Sequence, residues 1–349
     1  MNFFHLSHTD MDGYGCQLIA KKIFPKGNYY NANYGLEVKI YLEEIITTLK
    51  TLPKEELALF MITDLNLSVD ESKKLDNEIN TLNDNGYNIK LQLLDHHGTG
   101  SKSAKRYEWY FLDTSRCATK IVYDYFIKNY QEFPTLCEEN FDKLVQAINA
   151  ADIWLEEDEL FEYGKVCMSM VSRSYEVNNS LFPNQNREYK LFLLTKAIEF
   201  LTKPNGYILL DEQIYHFKKQ FLNKENKNDS LDNLSSSFLV QSLGNKKGEL
   251  TVYYKEHKGL LTYGLGGISI PANAFLKANK DYDFFIDVGR RGKASLRADN
   301  NIDVSLLAGK LGNGGGHPNA SGTSFDDFKE TVIYEDVKNY IQNKLNNCG

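Results

Sequence analysis

No run of apolar residues in this chain approaches the ~18–20 residues that a membrane-spanning helix requires, so an integral helical membrane protein is not expected. Cysteine is sparse: Cys16, Cys117, Cys137, Cys167 and Cys348 are scattered, odd in number and never arranged as CxxC. That argues against a disulfide framework or a zinc ribbon, and for reduced thiols in a cytoplasm. Basic residues are not in excess. There are 40 Lys+Arg against 47 Asp+Glu, a formal net charge of −7, and nothing global announces a nucleic-acid binder. The opening segment, MNFFHLSHTDMDG, lacks a basic start, and His5 and His8 break its apolar stretch, so it is not expected to be a signal peptide. Repeats are absent, and the one biased tract is the Asn- and Lys-rich segment at 219–236.

What remains is ample material for burial. The chain has 349 residues, 42% hydrophobic and 25% charged, which suits a two-domain globular protein. In the first half, short apolar runs alternate with helical patterns. NFFHLS ends at His8, ELALFMI at Thr63-Asp64 and YNIKLQLL at Asp95. Between them lie GCQLIAKKIF, VKIYLEEIITTLK and DESKKLDNEINTLNDNG, with helix-like spacing. This alternation predicts an α/β domain with a doubly wound, mainly parallel sheet. SRCATKIVYDYFIKNY and EENFDKLVQAINAADIW also look helical. In the latter, Leu144, Val145, Ile148 and Ala151 share one face, and the helix delivers Asp152 at its end. After about residue 236 the texture changes to shorter strands and many glycines (GELTVYYKE, LLTYGLGG, DYDFFIDVG, KASLRAD), with VGRRGK as a hairpin turn. The expected organisation is a first domain over 1–200, a helical and polar linker over 201–235, and a smaller mixed-sheet α/β domain over 236–349.

Parallel strands present their carboxyl ends at one edge, where ligands bind. Three predicted strands end in acids or imidazoles: His8, Asp10 and Asp12; then Asp64; then Asp95, His96 and His97. Asp152 follows a helix able to pack over that edge. Taken singly, an Asp after a strand is usually a cap or turn residue. Taken together, converging carboxylates repel and are costly to desolvate unless cations lie between them. Imidazoles among the carboxylates favour manganese, iron, cobalt or zinc over magnesium. The ligands suffice for two ions, which a shared Asp could bridge at ~3.5–4 Å.

A second unusual stretch is GRRGKASLRADNNIDVSLLAGKLGNGGGHPNASG. Glycines ahead of His317 permit close backbone approach to a ligand and suit phosphate oxygens. Ser295 and Arg297, two apart on a strand, share a face, and Arg clamps phosphate with two donors. Asp303 begins a short helix whose expected buried face is Leu306, Leu307 and Leu311. From Gly244 to His317 there are 11 Lys+Arg against 7 Asp+Glu, a local +4 suited to an anionic substrate.

HTDMDGYG, ITDLN, LLDHHGTG and ADIW occur in the order and spacing of the four motifs of the DHH phosphoesterase family, which the chain resembles. The GGGH run with Ser295 and Arg297 resembles the DHH-associated C-terminal domain. The resemblance covers about residues 1–170 and 235–325. It implies manganese-dependent hydrolysis of phosphate esters or anhydrides. Carried over, His8, Asp10 and Asp64 hold one metal, and Asp12, Asp64, His96 and Asp152 hold the other. Asp64 and His97 are then the catalytic residues, with His97 facing the substrate phosphate, while Asp95 orients an imidazole. Ser295, Arg297, Gly315, Gly316 and His317 join His97 in binding substrate.

Within the family, the GGGH run argues against a family II pyrophosphatase. The chain has no room for the extra barrel of a RecJ-type exonuclease, and it lacks the membrane segments of the membrane-bound cyclic-dinucleotide enzymes. The HxDxDG spacing of His8, Asp10 and Asp12 nevertheless looks RecJ-like. The implied function is therefore hydrolysis of phosphodiesters in short oligonucleotides or dinucleotides. The alternatives are a phosphatase of 3′-phosphoadenosine 5′-phosphate, a single-strand exonuclease, or a non-enzymatic nucleotide or RNA sensor. No membrane or protein partner is implied, and a homodimer is left open.

Overall fold

The computed structural model describes residues 1–130 and 140–348. Cys137, and Glu138 and Glu139 at the head of EENFDKLVQAINAADIW, lie outside the described residues. The chain divides into two compact units: Met1–Ser174 with Arg187–Phe217, and Tyr175–Asn186 with the chain from Lys218 onward.

In the first unit, β1 (Asn2–Ser7), α1 (Met11–Ile23), β2 (Asn28–Asn31), α2 (Leu36–Leu49), β3 (Leu57–Thr63), α3 (Val69–Asp84), β4 (Asn88–Asp95), the short α4 (Ser101–Ala104) and β5 (Tyr110–Leu112) alternate as the apolar spacing predicts. Helices α5 (Ala118–Asn129), α6 (Phe141–Asp152), α7 (Phe161–Ser172), most of α8 (Pro183–Ala197) and the first part of α9 (Gly206–Leu222) complete it. All strand pairs are parallel, in the order β2-β1-β3-β4-β5. Phe3–Ser7 of β1 and Ala58–Thr63 of β3 are buried throughout, because helices cover both faces of the sheet. Phe4, Leu6, Phe60, Ile62 and Leu93 form a core with Ile45 of α2 and with Leu75 and Ile79 of α3. On the other side α1, α5 and α6 pack together.

The chain leaves β1 toward β2 and then returns to place β3 on the other flank of β1. The crevice between the carboxyl ends of β1 and β3 is therefore the topological switch point, the place where doubly wound sheets bind ligands.

The second unit contains α10 (Leu231–Gly244), α11 (Lys247–Leu250), β6 (Thr251–Tyr254), β7 (His257–Tyr263), α12 (Ser269–Ala278), β8 (Phe284–Val288), β9 (Lys293–Ala298), α13 (Val304–Leu311), β10 (Gly315–His317), β11 (Ala320–Ser324) and α14 (Tyr334–Asn347). Its sheet runs β10-β11-β9-β8-β7-β6 and is mixed: only β7 and β8 are parallel. The Gly289–Gly292 turn closes the β8–β9 hairpin, with Gly292 N–H donating to the Gly289 carbonyl at 2.9 Å. Strand β6 is a sheet edge, yet it is not bare. The Gln342 side chain accepts from Tyr253 N–H at 2.9 Å and donates to the Tyr253 carbonyl at 2.8 Å.

One expectation fails here. Leu307 and Leu311 of α13 are buried, but Leu306 is 67% exposed. The buried stripe is Val304, Leu307, Ala308 and Leu311, the i, i+3, i+4, i+7 positions, and Leu306 falls outside it.

Phe60, wholly buried at the centre of β3, supplies the clearest stability test. Phe60→Ala should cost about 3–5 kcal/mol in chemical denaturation.

Candidate metal centre and phosphate-binding face

Each acidic or imidazole side chain at the β1/β3 crevice is set in place by its own piece of backbone. Asp10 is the N-cap of α1: one carboxylate oxygen accepts from Gly13 N–H at 3.0 Å and the other meets His8 Nδ1 at 2.8 Å. Gly13 makes this tight entry possible, since a Cβ there would lie 2.4 Å from the His8 carbonyl oxygen. Asp12, in the first turn of α1, accepts Ala118 and Thr119 N–H, both at 2.7 Å, from the start of α5. Those two donors belong to a helix N-terminus, where negative charge is favoured. Asp64 leaves β3 with φ of 55°, a left-handed conformation that Asp tolerates better than most residues, and its N–H donates to the Leu94 carbonyl at 3.2 Å.

The side chains meet. His8 Nδ1 lies 3.7 Å from Asp64 Oδ2. His96 Nε2 lies 3.7, 3.4 and 3.6 Å from carboxylate oxygens of Asp12, Asp64 and Asp152. His97 Nδ1 is 3.9 Å from Asp64 Oδ1 and 2.8 Å from Asp95 Oδ1. Asp95 is buried, and its second oxygen accepts the Tyr110 hydroxyl at 3.0 Å, so it is spent on orienting His97. All the residues expected at the sheet edge therefore converge, and Asp64 is common to both groups of ligand-type atoms that contain imidazoles, His8–Asp10–Asp64 and Asp64–His96–His97.

The electrostatics are those of crowded like charges. Burial, followed by the facing charges of Asp12 and Asp10, pushes the Asp64 carboxyl well above the ordinary range. Burial and the same two neighbours raise Asp152 to about 8. Burial lowers His96, whereas the hydrogen bond to Asp95 raises His97. Asp64 Oδ2 and Asp152 Oδ2 are buried without any hydrogen-bond donor. Buried carboxylate oxygens are rarely left so. Oxygen and imidazole nitrogen donors around unsatisfied carboxylates fit a divalent cation, which would hold these acids ionised. Cys117 also lies within reach of Asp12 and Asp152, and burial raises its thiol well above the usual range.

Sequence reasoning missed Tyr34. Its hydroxyl lies 3.4 Å from His97 Nδ1, its ring packs 5.2 Å from that of His8, and it is 44% exposed. The available signal was its place just after β2, at the same sheet edge. His5, by contrast, is a core residue: it is fully buried, bonds Thr63 Oγ1 at 2.8 Å, and burial lowers its pKa to about 3.

In the second unit, strand register arranges the other expected residues. Gly315, Gly322, Ser295, Asp287 and Thr262 form one lateral row across five strands. His317, Ala320 and Arg297 form a row two residues away, hence on the same face. Gly316 lies in the intervening row. Gly315 has open space where a Cβ would stand, whereas a Cβ on Gly314 would meet the Ala308 and Gly322 carbonyl oxygens at 2.5 and 2.6 Å. The glycine run thus serves internal packing as well as exposure. Arg297 donates to Ser269 Oγ at 2.8 Å. Asp287 was not anticipated. It is buried beside Ser295 and accepts Leu265 and Gly266 N–H, each at 3.1 Å, and the Thr262 hydroxyl at 2.9 Å. It thereby pins the glycine loop after β7.

Comparison with known proteins completes the picture. The DHHA1 domain family matches residues 266–347. A 3′,5′-cyclic-nucleotide phosphodiesterase of Helicobacter pylori is 42% identical over 348 residues, the full length of both chains. The chain belongs to the DHH phosphoesterase family. A crystal structure of an uncharacterized Helicobacter pylori protein shares this DHH fold at TM-score 0.91 and 42% identity, with 99% of each chain covered. The oligoribonuclease NrnB of Bacillus subtilis is 28% identical over 339 residues, 93% of this chain and 73% of its own.

A chelated preparation titrated with manganese should show a rising melting temperature, corresponding to about 2.7 kcal/mol when the free ion is at 100 times its dissociation constant. Asp64→Asn should remove most of that rise.

Proposed function

We propose that this DHH phosphoesterase is a divalent-metal-dependent phosphodiesterase acting on small nucleotide substrates. The observation that carries the proposal is the pair of buried, donor-less oxygens on Asp64 and Asp152 among converging acids and imidazoles. In this reading His8, Asp10 and Asp64 hold one cation, and Asp12, Asp64, His96 and Asp152 hold the other, with Asp64 shared. The mixture of imidazole and carboxylate favours manganese. The first unit is then the metal-binding domain and the second the substrate-binding domain.

Cations held by these residues would supply a water of lowered pKa and charge to offset that of the phosphoryl oxygens. The chain's own groups do the rest. Asp95 occupies His97 Nδ1, which leaves Nε2 to donate a proton to the leaving oxygen as the P–O bond breaks and water oxygen joins phosphorus. Arg297, with two guanidinium donors to offer a phosphate, and Ser295 beside it bind the substrate. Gly315 and His317 belong to the same binding face, and Gly316, in the row between them, contributes backbone to it.

The relatives' names favour a diester over a monoester or pyrophosphate, since a cyclic-nucleotide phosphodiesterase and an oligoribonuclease both break phosphodiester bonds. The test is a panel of 3′,5′-cyclic nucleotide, dinucleotide, 5-mer, long single strand, phosphoadenosine phosphate and pyrophosphate, each with manganese and with magnesium. Cyclic or short linear diesters should be hydrolysed, and turnover of pyrophosphate alone would refute the assignment.

Asp64→Ala should lower the rate by about a thousandfold or more, since metal ions supply several kcal/mol of transition-state stabilisation. Arg297→Ala should instead raise KM about tenfold or more and leave kcat less affected.

A further inference from the structure

At the opposite edge of the second unit's sheet from the glycine strand β10 lies a concave pocket of about 570 Å³. Five strand spacings separate the two edges, about 24 Å. Lys247, Lys258 and Lys338 line it, together with Thr251, Tyr253, Tyr282 and Asp281. Three ammonium groups against one carboxylate is a local excess of positive charge on a chain of net charge −7.

The lysines are not all neutralised. Lys258 Nζ pairs with Asp281 at 2.6 Å and lies 4.1 Å from the centre of the Tyr282 ring. Among the described residues, Lys247 Nζ hydrogen-bonds the amide oxygen of Asn279 at 2.7 Å and feels the charge of Asp281 without a hydrogen bond to it, and Lys338 Nζ bonds the backbone carbonyl of Glu249 at 2.5 Å. Both acceptors are uncharged, so each ammonium is oriented but keeps its charge and further donors. The pocket floor is firm: Tyr282 is buried and its hydroxyl meets Thr251 Oγ1 at 2.8 Å. On the rim, Tyr253 is 54% exposed, opposite Lys258 in the strand register and held at its backbone by Gln342.

We infer that this pocket binds a nucleoside monophosphate: Lys247 and Lys338 take the phosphate and Tyr253 offers its ring to the base. Fixed ammonium donors recognise phosphate oxygens as point charges, and an exposed aromatic ring stacks on a base of any identity. The site is separate from the Arg297 face and does not depend on the metal cluster, so it stands or falls independently of the proposed phosphodiesterase activity.

The test titrates the full chain with adenosine 5′-monophosphate and with inorganic phosphate by calorimetry in the presence of chelator. The Lys247→Ala/Lys338→Ala double variant should bind both at least tenfold more weakly. Tyr253→Ala should weaken the nucleotide about tenfold and leave phosphate unchanged. Because the Arg297 face can also take a nucleotide, the series is repeated in Arg297→Ala, where the lysine-dependent component should persist. Thermal melts matching the parent show that the variants fold. Nucleotide binding unaffected by the lysine pair in either background overturns the inference, as does equal loss of phosphate and nucleotide in Tyr253→Ala.

Discussion

Carboxylates that repel one another are made to share a crevice, and the first unit is arranged around enforcing that proximity. Asp10, Asp12, Asp64 and Asp152 would separate if their chain segments were free. The backbone does not release them: Asp10 is tied to the start of α1, Asp12 to two amides of α5, Asp64 to a twisted strand end fixed by Leu94, and Asp152 to the last turn of α6. The apolar packing of α1, α5 and α6 and of the central strands supplies the free energy that holds these charges together. Burial then raises Asp64 and Asp152 instead of letting solvent screen them.

The second unit solves a different problem with different means. One face of its sheet gathers Ser295, Arg297, Gly315 and His317 through strand register, beside one buried carboxylate. That carboxylate, Asp287, is consumed by loop amides and a hydroxyl. In the proposed reading, the acids of one unit would hold cations and Arg297 of the other would hold phosphate.

The parallel sheet was legible in the sequence because alternating apolar runs and helical periods are local, and the acids marked the strand ends. The cluster was legible because His8, Asp64, Asp95 and Asp152 each follow such a run. Tyr34 and Asp287 were not, for a physical reason. A tyrosine after a short strand and an aspartate within an apolar strand look ordinary until cross-strand neighbours are known, and register is not a local property. Leu306 shows the complementary error: hydrophobicity was taken for burial where helical phase decides. The glycine run was read as ligand approach, whereas Gly314 answers to carbonyl oxygens inside the protein.

The side-chain amide of Gln342 has a consequence for the outer edge of the second sheet. An uncovered outer strand is a template on which another polypeptide can build. By donating and accepting once each at Tyr253, Gln342 imitates the next strand for a single residue and closes that template. Helix α14 therefore covers part of the β6 edge, and its removal would uncover backbone groups of Tyr253 that Gln342 now satisfies.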